Sequence, residues 1–431
     1  MESPAAWMEP SLDVDKLSYE IFSILENKFL FGYDDPKLFL AAGTPPETPL
    51  KVSTAAGRVR ILSIDGGAAG TSDGLLAGVA LSRLEASLRK LSGDPAARIA
   101  DFFDLAAGSG AGGVLAAMLF TRGPDGRPLF SADDALRLLT KNHSCLAASG
   151  EKGLLRKIFR RSGGSSCRTF FRRVFGDTTL RDTVKPVLIP CYDLASGAPF
   201  VFSRVDAVET DGYDFLMREV CAATCAAAAA VEMRSMDGRT RLRAVGGGLA
   251  MRNPTAAAVT HVLNNKQEFP FAAGVEDLLV VSLGPGEAEI AGKSPAPPSA
   301  AEFVRIAGMG QADMVDQAVA MAFGKSMATN YVRIQGHGVS LGKAVDEVEA
   351  AERTMAERNV ESVLFRGRKL TERTNGEKLE WVTEELIKER DRRRSSSVPT
   401  VLIKPAITPR TSCSTITTSV SSITSSGSPR F

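Results

Sequence analysis

Residues 102–120 read FFDLAAGSGAGGVLAAMLF, a short apolar run followed by a cluster of glycines and an Ala-rich helical stretch. Within it, Gly108 to Gly112 follow the Gly-x-Ser-x-Gly frame of a nucleophile elbow, the sharp strand-to-helix turn that exposes one reactive hydroxyl. Gly110 stands where that frame has its serine. The sequence therefore predicts an elbow built on Gly108, Ser109 and Gly112 that lacks its nucleophile.

The segments on either side of the elbow predict a sheet covered by helices. Predicted strands lie at residues 59–64, 102–107, 186–191, 200–203, 241–245 and 278–283. Several are continuous apolar runs, which is typical of strands buried on both faces. A helix with Leu76, Leu84 and Leu88 on one stripe follows the first strand, and an Ala-rich helical stretch is predicted over 220–231. The predicted class is α/β, with a mostly parallel sheet flanked by helices.

Composition divides the chain into four parts. They are an N-terminal helical extension and linker at 1–56, an α/β core at 57–290, a mostly helical region at 291–390 and a disordered Ser/Thr-rich tail at 391–431. In the extension, apolar residues recur every four positions, which predicts a helix over 13–31. The tail has too little apolar surface to offset the entropy lost on ordering.

Bulk properties argue against several classes of function. The chain has 431 residues, 44% of them hydrophobic, and a formal net charge of +2, which gives no electrostatic case for binding nucleic acid. No apolar run reaches the roughly 18 residues of a membrane helix, and the N-terminus lacks the apolar core of a signal peptide. We therefore expect a cytoplasmic protein.

Neither a metal nor a cofactor is predicted. The six cysteines are scattered, and the chain has only three histidines. Reduced and mostly buried thiols are expected. The elbow also satisfies Gly-x-Gly-x-x-Gly, but a dinucleotide site needs a following strand that ends in an acid, and residues 121–128 form a turn-rich loop instead.

Two further glycine clusters follow predicted strands. Asp65, Gly66 and Gly67 precede a predicted helix, and paired glycine amides at such a place can hold an oxyanion or a phosphate. A tight turn that binds nothing is the simpler alternative. The second cluster begins the run VGGGLAMRNP at 245–254, where consecutive glycines allow close backbone approach.

These landmarks, in this order and spacing, resemble the patatin-like phospholipase family. The family's D-G-G-G-x-R-G oxyanion loop is similar to residues 65–71, its elbow to 108–112, its I-P-x-Y-D-L strand to 189–194 and its D-G-G/A motif to 245–254. The resemblance covers residues 58–335. It implies a three-layer patatin-like fold with helical N- and C-terminal extensions.

The resemblance also implies a chemistry from which this chain departs. In the family a Ser–Asp dyad hydrolyses lipid acyl esters, and glycine amides stabilise the oxyanion. Here Gly110 takes the place of the serine and Gly246 that of the aspartate, so no catalytic residue is intact, whereas Gly66 and Gly67 remain for the oxyanion hole. A plant patatin-related subgroup is similar, with Gly-x-Gly-x-Gly at its elbow and with phospholipids and galactolipids as substrates.

No neighbouring residue is a strong substitute for the missing hydroxyl. Ser109 leaves the turn in another direction from the apex, and we expect it to hydrogen-bond within the turn. Cys225 lies in an apolar stretch, where a thiol is inert. An aspartate before two glycines, such as Asp65, usually binds turn amides.

Two functions are consistent with these residues. The first is a patatin-type lipid acyl hydrolase homologue, acting on membrane phospholipids and galactolipids with weak, cryptic or absent activity. The second is a non-catalytic lipid-binding or regulatory pseudoenzyme. Both have membrane lipids as partners, and contact with a membrane would be peripheral.

Overall fold

The computed structural model describes residues 57–66, 74–142, 167–226, 229–284, 299–336, 347–363 and 367–405. These residues belong to one compact unit. The N-terminal extension at 1–56, with the helix predicted over 13–31, lies outside the described residues, as do Gly67 and the tail beyond residue 405.

Eight strands of the described residues form the main sheet. They are β1 Val59–Ile64, β2 Leu105–Gly108, β3 Val187–Asp193, β4 Ala198–Ser203, β5 Val231–Arg234, β6 Arg241–Val245, β7 Leu278–Leu283 and β8 Tyr331–Ile334. Their order is β5-β6-β3-β2-β1-β7-β8, and β4 also pairs with β3. Along this order, the neighbouring strands β3, β2, β1, β7 and β8 pair parallel. The pairings of β4, β5 and β6 are antiparallel.

The parallel strands end level with one another. Ile64 is in register with Gly108 on β2 and with Leu283 on β7, and Leu283 is in register with Ile334 on β8. The segments that follow parallel strands meet at this carboxyl edge of the sheet, which is where open α/β sheets bind their ligands. Two of the predicted glycine turns, after β1 and after β2, therefore lie side by side.

Helices cover both faces of the sheet. They are α1 Leu75–Ser92, α2 Ile99–Phe102, α3 Gly110–Phe120, α4 Ala132–Lys141, α5 Arg204–Glu209, α6 Met217–Thr224, α7 Gly247–Ala250, α8 Thr255–Asn264, α9 Ala300–Phe323, α10 Met327–Asn330, α11 Glu347–Ala356 and α12 Asn375–Ser395. On β1, Leu62 and Ile64 face a core shared with α1, α3 and α12, whereas Val59 and Ile61 face a core shared with α8 and α9. The predicted α/β class, with a mostly parallel sheet flanked by helices, is confirmed. Within the described residues, no helix combines the length and apolar character needed to cross a membrane.

The region after residue 290 contains strands as well as helices, and it contributes to the core. β8 extends the main sheet beside β7, and β9 Arg358–Val363 pairs antiparallel with β10 Gly367–Thr374. Leu379, Val382 and Leu386 of α12 are buried in the same core as α1. The boundary expected at residue 290 therefore divides two segments that share one sheet.

The first residues of the predicted tail, 391–405, have distant partners. α12 continues to Ser395, into the segment 391–431 that composition predicts to be a disordered tail. Arg393 donates from Nη2 to Asp104 Oδ2 at 2.6 Å. The Leu402 amide donates to the Glu268 carbonyl at 2.8 Å. The composition of this segment gave no indication of either contact.

Two other predicted elements have different bounds. In place of a strand beginning at residue 102, α2 occupies Ile99–Phe102, because the Asp101 carboxylate accepts a hydrogen bond from the Arg98 amide at 2.8 Å and starts a short helix. The helix predicted over 220–231 ends at Thr224, and Val231 begins β5 in register with Ala244.

Candidate active site

β2 passes into α3 through a sharp turn. Gly108 ends β2, Ser109 is extended with φ −119° and ψ 144°, and Gly110 opens α3 with φ +53°. The Ser109 amide donates to the Ile64 carbonyl at 3.1 Å, and the Gly113 amide donates to the Ser109 carbonyl at 3.1 Å. The turn is thus tied to the end of β1 on one side and to the first turn of α3 on the other.

Three glycines of this turn are required for space. A Cβ on Gly108 would lie 2.3 Å from the Gly112 carbonyl oxygen, and a Cβ on Gly112 would lie 2.5 Å from the Ile64 carbonyl oxygen. A Cβ on Gly113 would lie 2.9 Å from the Gly108 carbonyl oxygen. These neighbours are backbone atoms, so they cannot move aside by changing rotamer. Close packing of β1, the turn and α3 therefore explains the glycine-rich frame.

Gly110 differs from these glycines because its position has room for a side chain. Among the described residues, a Cβ there would contact only the Gly66 Cα, at 3.6 Å. Its φ of +53° lies in the left-handed region, which costs a residue with a Cβ roughly 1–2 kcal/mol. In a nucleophile elbow the serine accepts this strain so that its hydroxyl is exposed. Position 110 has that apex geometry without a hydroxyl.

Gly66 brings the end of β1 against the elbow. A Cβ on Gly66 would lie 2.8 Å from the Ser109 carbonyl oxygen. The Gly66 amide donates to the Arg252 carbonyl at 2.9 Å, so an oxyanion would have to displace that carbonyl to use this amide. Gly67, the second predicted donor, lies outside the described residues. The oxyanion hole at Gly66 and Gly67 therefore stays a prediction.

The third glycine cluster closes over the elbow through Thr224. The Gly110 amide donates to Thr224 Oγ1 at 3.0 Å, and a Cβ on Gly247 would lie 2.4 Å from the same oxygen. Gly246, the predicted aspartate position, donates its amide to the Ala226 carbonyl at 2.6 Å, and a Cβ there would lie 2.9 Å from that oxygen. The three predicted glycine turns thus meet at one place. Thr224, which no sequence motif indicated, holds two of them together.

Ser109 has a buried hydroxyl. The residue is 0% exposed, and its Oγ has no hydrogen-bond partner among the described residues. The Oγ lies 2.9 Å from where a Cβ on Gly66 would be, and 3.0 Å from where a Cβ on Gly247 would be. The hydrogen bond expected within the turn is therefore not made there. Two glycine backbones enclose this hydroxyl, which keeps it from a substrate.

Behind the elbow, Asp65 is bound by an arginine from β8. Arg333 donates from Nη1 to Asp65 Oδ1 at 2.9 Å and from Nη2 to Oδ2 at 2.6 Å. Burial opposes the charge of Arg333, but the facing Asp65 carboxylate raises the pKa of the guanidinium above its ordinary value. Arg333 also donates to Ser282 Oγ at 2.7 Å. Among the described residues, the carboxylate therefore binds an arginine rather than the turn amides that were expected.

Two buried cysteines near the elbow are not reactive. Burial raises the pKa of Cys191 on β3 to about 12 and raises the pKa of Cys221 on α6 well above its ordinary value. Because a thiol attacks as the thiolate, neither side chain replaces the missing hydroxyl at neutral pH. The part of the chain that the structure describes contains no group of three His, Cys, Asp or Glu side chains that could hold a metal ion.

The sheet is mostly parallel, and the elbow lies at the carboxyl ends of its parallel strands. These two features define a class of α/β proteins that carry an elbow of the serine-hydrolase type. Residues 62–259 match the family model described as patatin-like phospholipase. The chain belongs to the patatin-like phospholipase family, and the resemblance read from its glycine landmarks is confirmed.

Plant proteins are similar to this chain over most of its length. Patatin-like protein 7 of Arabidopsis thaliana is 49% identical, over 93% of this chain and 86% of that protein. Patatin-like protein 3 of Oryza sativa subsp. indica is 53% identical, over 88% of this chain and 92% of that protein. The probable inactive patatin-like protein 9 of Arabidopsis thaliana is 40% identical, over 87% of this chain and 93% of that protein. VipD from Legionella pneumophila, a solved structure, aligns with a TM-score of 0.26 and 10% identity over 78% of this chain and 67% of its own, a likeness too slight to support further conclusions.

Proposed function

We propose that this chain is a patatin-type lipid acyl hydrolase homologue that receives membrane phospholipids and galactolipids at the elbow and hydrolyses them weakly or not at all. The observation that carries the proposal is the apex at Gly110. It combines a left-handed φ of +53° with room for a Cβ among the described residues, and it presents no hydroxyl.

Lipid binding is supported by the space above the apex. A reacting ester carbonyl has to come within roughly 3–3.5 Å of the apex position. In the part of the chain that the structure describes, only the Gly66 Cα borders a Cβ placed there, at 3.6 Å. The N-terminal end of α3 adds partial positive charge beside that space, which favours an ester oxygen or an anionic group.

Weak or absent hydrolysis is supported by the size of the missing contribution. Removing the nucleophile of a comparable serine hydrolase lowers turnover about a millionfold, which is about 8 kcal/mol. Binding and oxyanion donors alone leave roughly a thousandfold over the uncatalysed reaction. In this chain the Gly66 amide already donates to the Arg252 carbonyl, so one of the oxyanion donors is occupied.

A second function, a non-catalytic lipid-binding or regulatory pseudoenzyme, is favoured by Gly246. A Cβ at this position would lie 2.9 Å from the Ala226 carbonyl oxygen, so an aspartate needs a backbone shift to fit. A relative that is 40% identical has the name probable inactive patatin-like protein 9, which supports the same non-catalytic function.

The test is to restore both side chains and to measure fatty acid release from mixed phospholipid and galactolipid vesicles. Gly110→Ser with Gly246→Asp is expected to raise release at least about a hundredfold over the wild type, because a hydroxyl then stands at the apex beside a base. The matched control is Gly110→Ala with Gly246→Asp, which has the same Cβ and no hydroxyl and should remain at background. Equal release from the two double variants would contradict a site that keeps hydrolase geometry and would favour the second function.

Lipid binding is tested separately with Gly110→Leu, which fills the space above the apex. Retention of a fluorescent phospholipid by this variant should fall at least about tenfold, the factor that corresponds to 1.4 kcal/mol of lost binding. The Gly110→Ala variant serves as its control, because it shares the backbone strain and leaves most of the space open. Unchanged retention by Gly110→Leu would show that lipid does not bind at the elbow.

A further inference from the structure

The first two turns of α9 expose apolar side chains that a folded domain normally buries. Phe303 is 58% exposed, Val304 46% and Ile306 42%. Farther along the helix, Val319 and Phe323 are buried against α8. Single exposed apolar residues are common on protein surfaces, but three within one turn form a patch that marks an interaction site.

The exposed face continues along this helix, which is about 36 Å long. At 3.6 residues per turn, Phe303, Gly310, Met314 and Met321 fall within about 40° of one another. Met314 is 59% exposed and Met321 is 69% exposed. The contacts of α9 with the candidate active site are at Gly308 and Gln311, nearer to Phe303 than to Met321.

Arg252 connects the middle of α9 to the candidate active site. The Arg252 amide donates to Gln311 Oε1 at 2.9 Å, and the Arg252 carbonyl accepts the Gly66 amide at 2.9 Å. A Cβ on Gly308 would lie 3.2 Å from Arg252 Nη1. On the same edge of the sheet, α7 follows directly from Gly246 and carries Leu249, which is 57% exposed.

The β5–β6 hairpin adds positive charge at this edge. β3 pairs with β2 at Leu188 and with β6 at Asp193, so the hairpin lies beyond the carboxyl end of β2, where the elbow is. Arg234, Arg241 and Arg243 are exposed on it, and none of their guanidinium groups has a partner among the described residues. The hairpin's other exposed charges are Glu232, opposite Arg243, and the ion pair of Asp237 with Arg239.

We propose that Leu249, Phe303, Val304, Ile306, Arg241 and Arg243 form a docking face that binds the surface of an anionic lipid bilayer. The apolar side chains enter the boundary between headgroups and acyl chains, and the arginines contact anionic headgroups. Docking in this orientation presents the elbow to lipid. The biological role of the docking face therefore rests on the proposed function, whereas its position on the molecule does not.

Charge favours a bilayer over a second copy of the chain. A symmetric contact through this face would bring three arginines from each hairpin into one interface, against two exposed acids of each copy, Glu232 and Glu302. An anionic bilayer supplies negative charge and an apolar interior together, which matches the composition of the face.

The inference is tested by co-sedimentation of the full chain with phosphatidylcholine vesicles that contain or lack phosphatidylglycerol. Phe303→Asp with Ile306→Asp should lower the partition coefficient at least about tenfold. Arg241→Gln with Arg243→Gln should lower it about fivefold for each arginine removed, and only on the anionic vesicles. The matched control is Met321→Asp, on the same exposed face about 27 Å along the helix axis, which should bind like the wild type.

A direct readout of insertion does not depend on a disruptive variant. Phe303→Trp is expected to be quenched by vesicles with brominated acyl chains, whereas Met321→Trp is not. Equal quenching at both positions, or none at Phe303→Trp, would overturn the proposal. So would a wild-type dimer that dissociates in the Phe303→Asp, Ile306→Asp variant while vesicle binding stays unchanged, because the face would then belong to a second copy.

Failure of the docking face and failure of the proposed function give different results. If the restored Gly110→Ser, Gly246→Asp variant cleaves a soluble short-chain ester but Phe303→Trp is not quenched, only the docking face is wrong. If Phe303→Trp is quenched and neither ester cleavage nor the effect of Gly110→Leu appears, only the proposed function is wrong.

Discussion

At the scale of single residues, the glycines of the elbow are of two kinds. Gly108, Gly112 and Gly113 make room for carbonyl oxygens that would lie 2.3–2.9 Å from a Cβ. Gly110 has room for a Cβ among the described residues and differs from the other three in its left-handed φ of +53°. A glycine kept for close packing and a glycine that stands in place of a nucleophile look alike in sequence, and the structure separates them.

Substitution of these glycines should separate them by stability. Gly110→Ala is expected to lower the free energy of unfolding by roughly 1–2 kcal/mol, the cost of a left-handed residue. Gly112→Ala is expected to lower it by more than about 3 kcal/mol, or to prevent folding, because its Cβ meets the backbone of β1. Urea unfolding of both variants checks this, with Gly93→Ala as the control for a left-handed glycine in open space, at φ +67°. A Gly112→Ala variant as stable as Gly93→Ala would contradict the close packing.

The sequence predicted the elbow because its glycines are close together in the chain. The residues that complete the site were not predictable, since their partners are far away in sequence. Thr224 is 114 residues from Gly110, and Arg333 is 268 residues from Asp65. Neither residue carries a motif, and each has its role only once the sheet has formed.

At the scale of elements, α12 is held to the sheet by buried charge. Arg393 forms a two-pronged contact with Asp104, Nη1 to Oδ1 at 2.8 Å and Nη2 to Oδ2 at 2.6 Å. Burial opposes ionisation of Asp104, but Arg60 and Arg393 hold the pKa of this carboxyl well below its usual range. Glu389, on the same helix, accepts a hydrogen bond from the Arg58 amide at 2.6 Å. The last turns of α12 therefore fasten the region where β1 and β2 begin.

Two neighbouring arginines give a matched test of this attachment. Arg393→Gln should lower the free energy of unfolding by about 1–3 kcal/mol, because the buried Asp104 carboxylate loses one of its charged partners. Arg394→Gln, at an exposed position of the same turn, should change it by less than about 0.5 kcal/mol. Thermal or urea unfolding measures both, and equal losses would show that the ion pair does not anchor the helix.

The error about the tail belongs to this scale. A run of three arginines before a Ser-rich stretch is typical of a solvated segment, and this composition predicted disorder from residue 391 onward. Helix α12 instead extends to Ser395, because a buried aspartate 289 residues earlier neutralises one of the three charges. Composition reports the average solvation of a segment and misses a single tertiary partner.

At the scale of the whole molecule, the α/β architecture was predictable because apolar runs of strand length alternate with helical stretches. The contribution of β8 was not. Its sequence, Tyr-Val-Arg-Ile, has a charged residue in the middle and lies in a region of charged helical pattern. Arg333 is buried in the sheet because Asp65 at the end of β1 supplies the opposite charge. The ion pair overrides the local preference, and it joins the C-terminal region to the core.

Lys185 should make the stability of the whole molecule depend on pH in alkaline solution. Burial lowers the pKa of Lys185 from 10.5 to about 8, although Asp104 opposes the shift. Between these two values the unfolded chain binds more protons than the folded chain, so the stability contribution of Lys185 rises with pH, by up to about 3 kcal/mol. Below the lower pKa value Lys185 is charged in both states, and the full cost of burying its charge opposes folding.

This dependence is measured as the difference in free energy of unfolding between the wild type and Lys185→Met at each pH. The difference should move in favour of the wild type as the pH rises from 8 to 10.5, the interval between the two pKa values. The subtraction removes other groups that titrate there, such as the cysteines. A difference that stays constant, or moves the other way, would show that Lys185 titrates normally in the folded protein.

The absence of a reactive hydroxyl at the elbow is tested most directly by intact-mass measurement after exposure to a fluorophosphonate, which phosphonylates activated serines. The wild type should remain unlabelled, and Gly110→Ser with Gly246→Asp should gain one adduct at residue 110. A stoichiometric adduct on the wild type, mapped by peptide mass to a serine that Gly110→Leu protects, would contradict the account, because the site would then contain a working nucleophile.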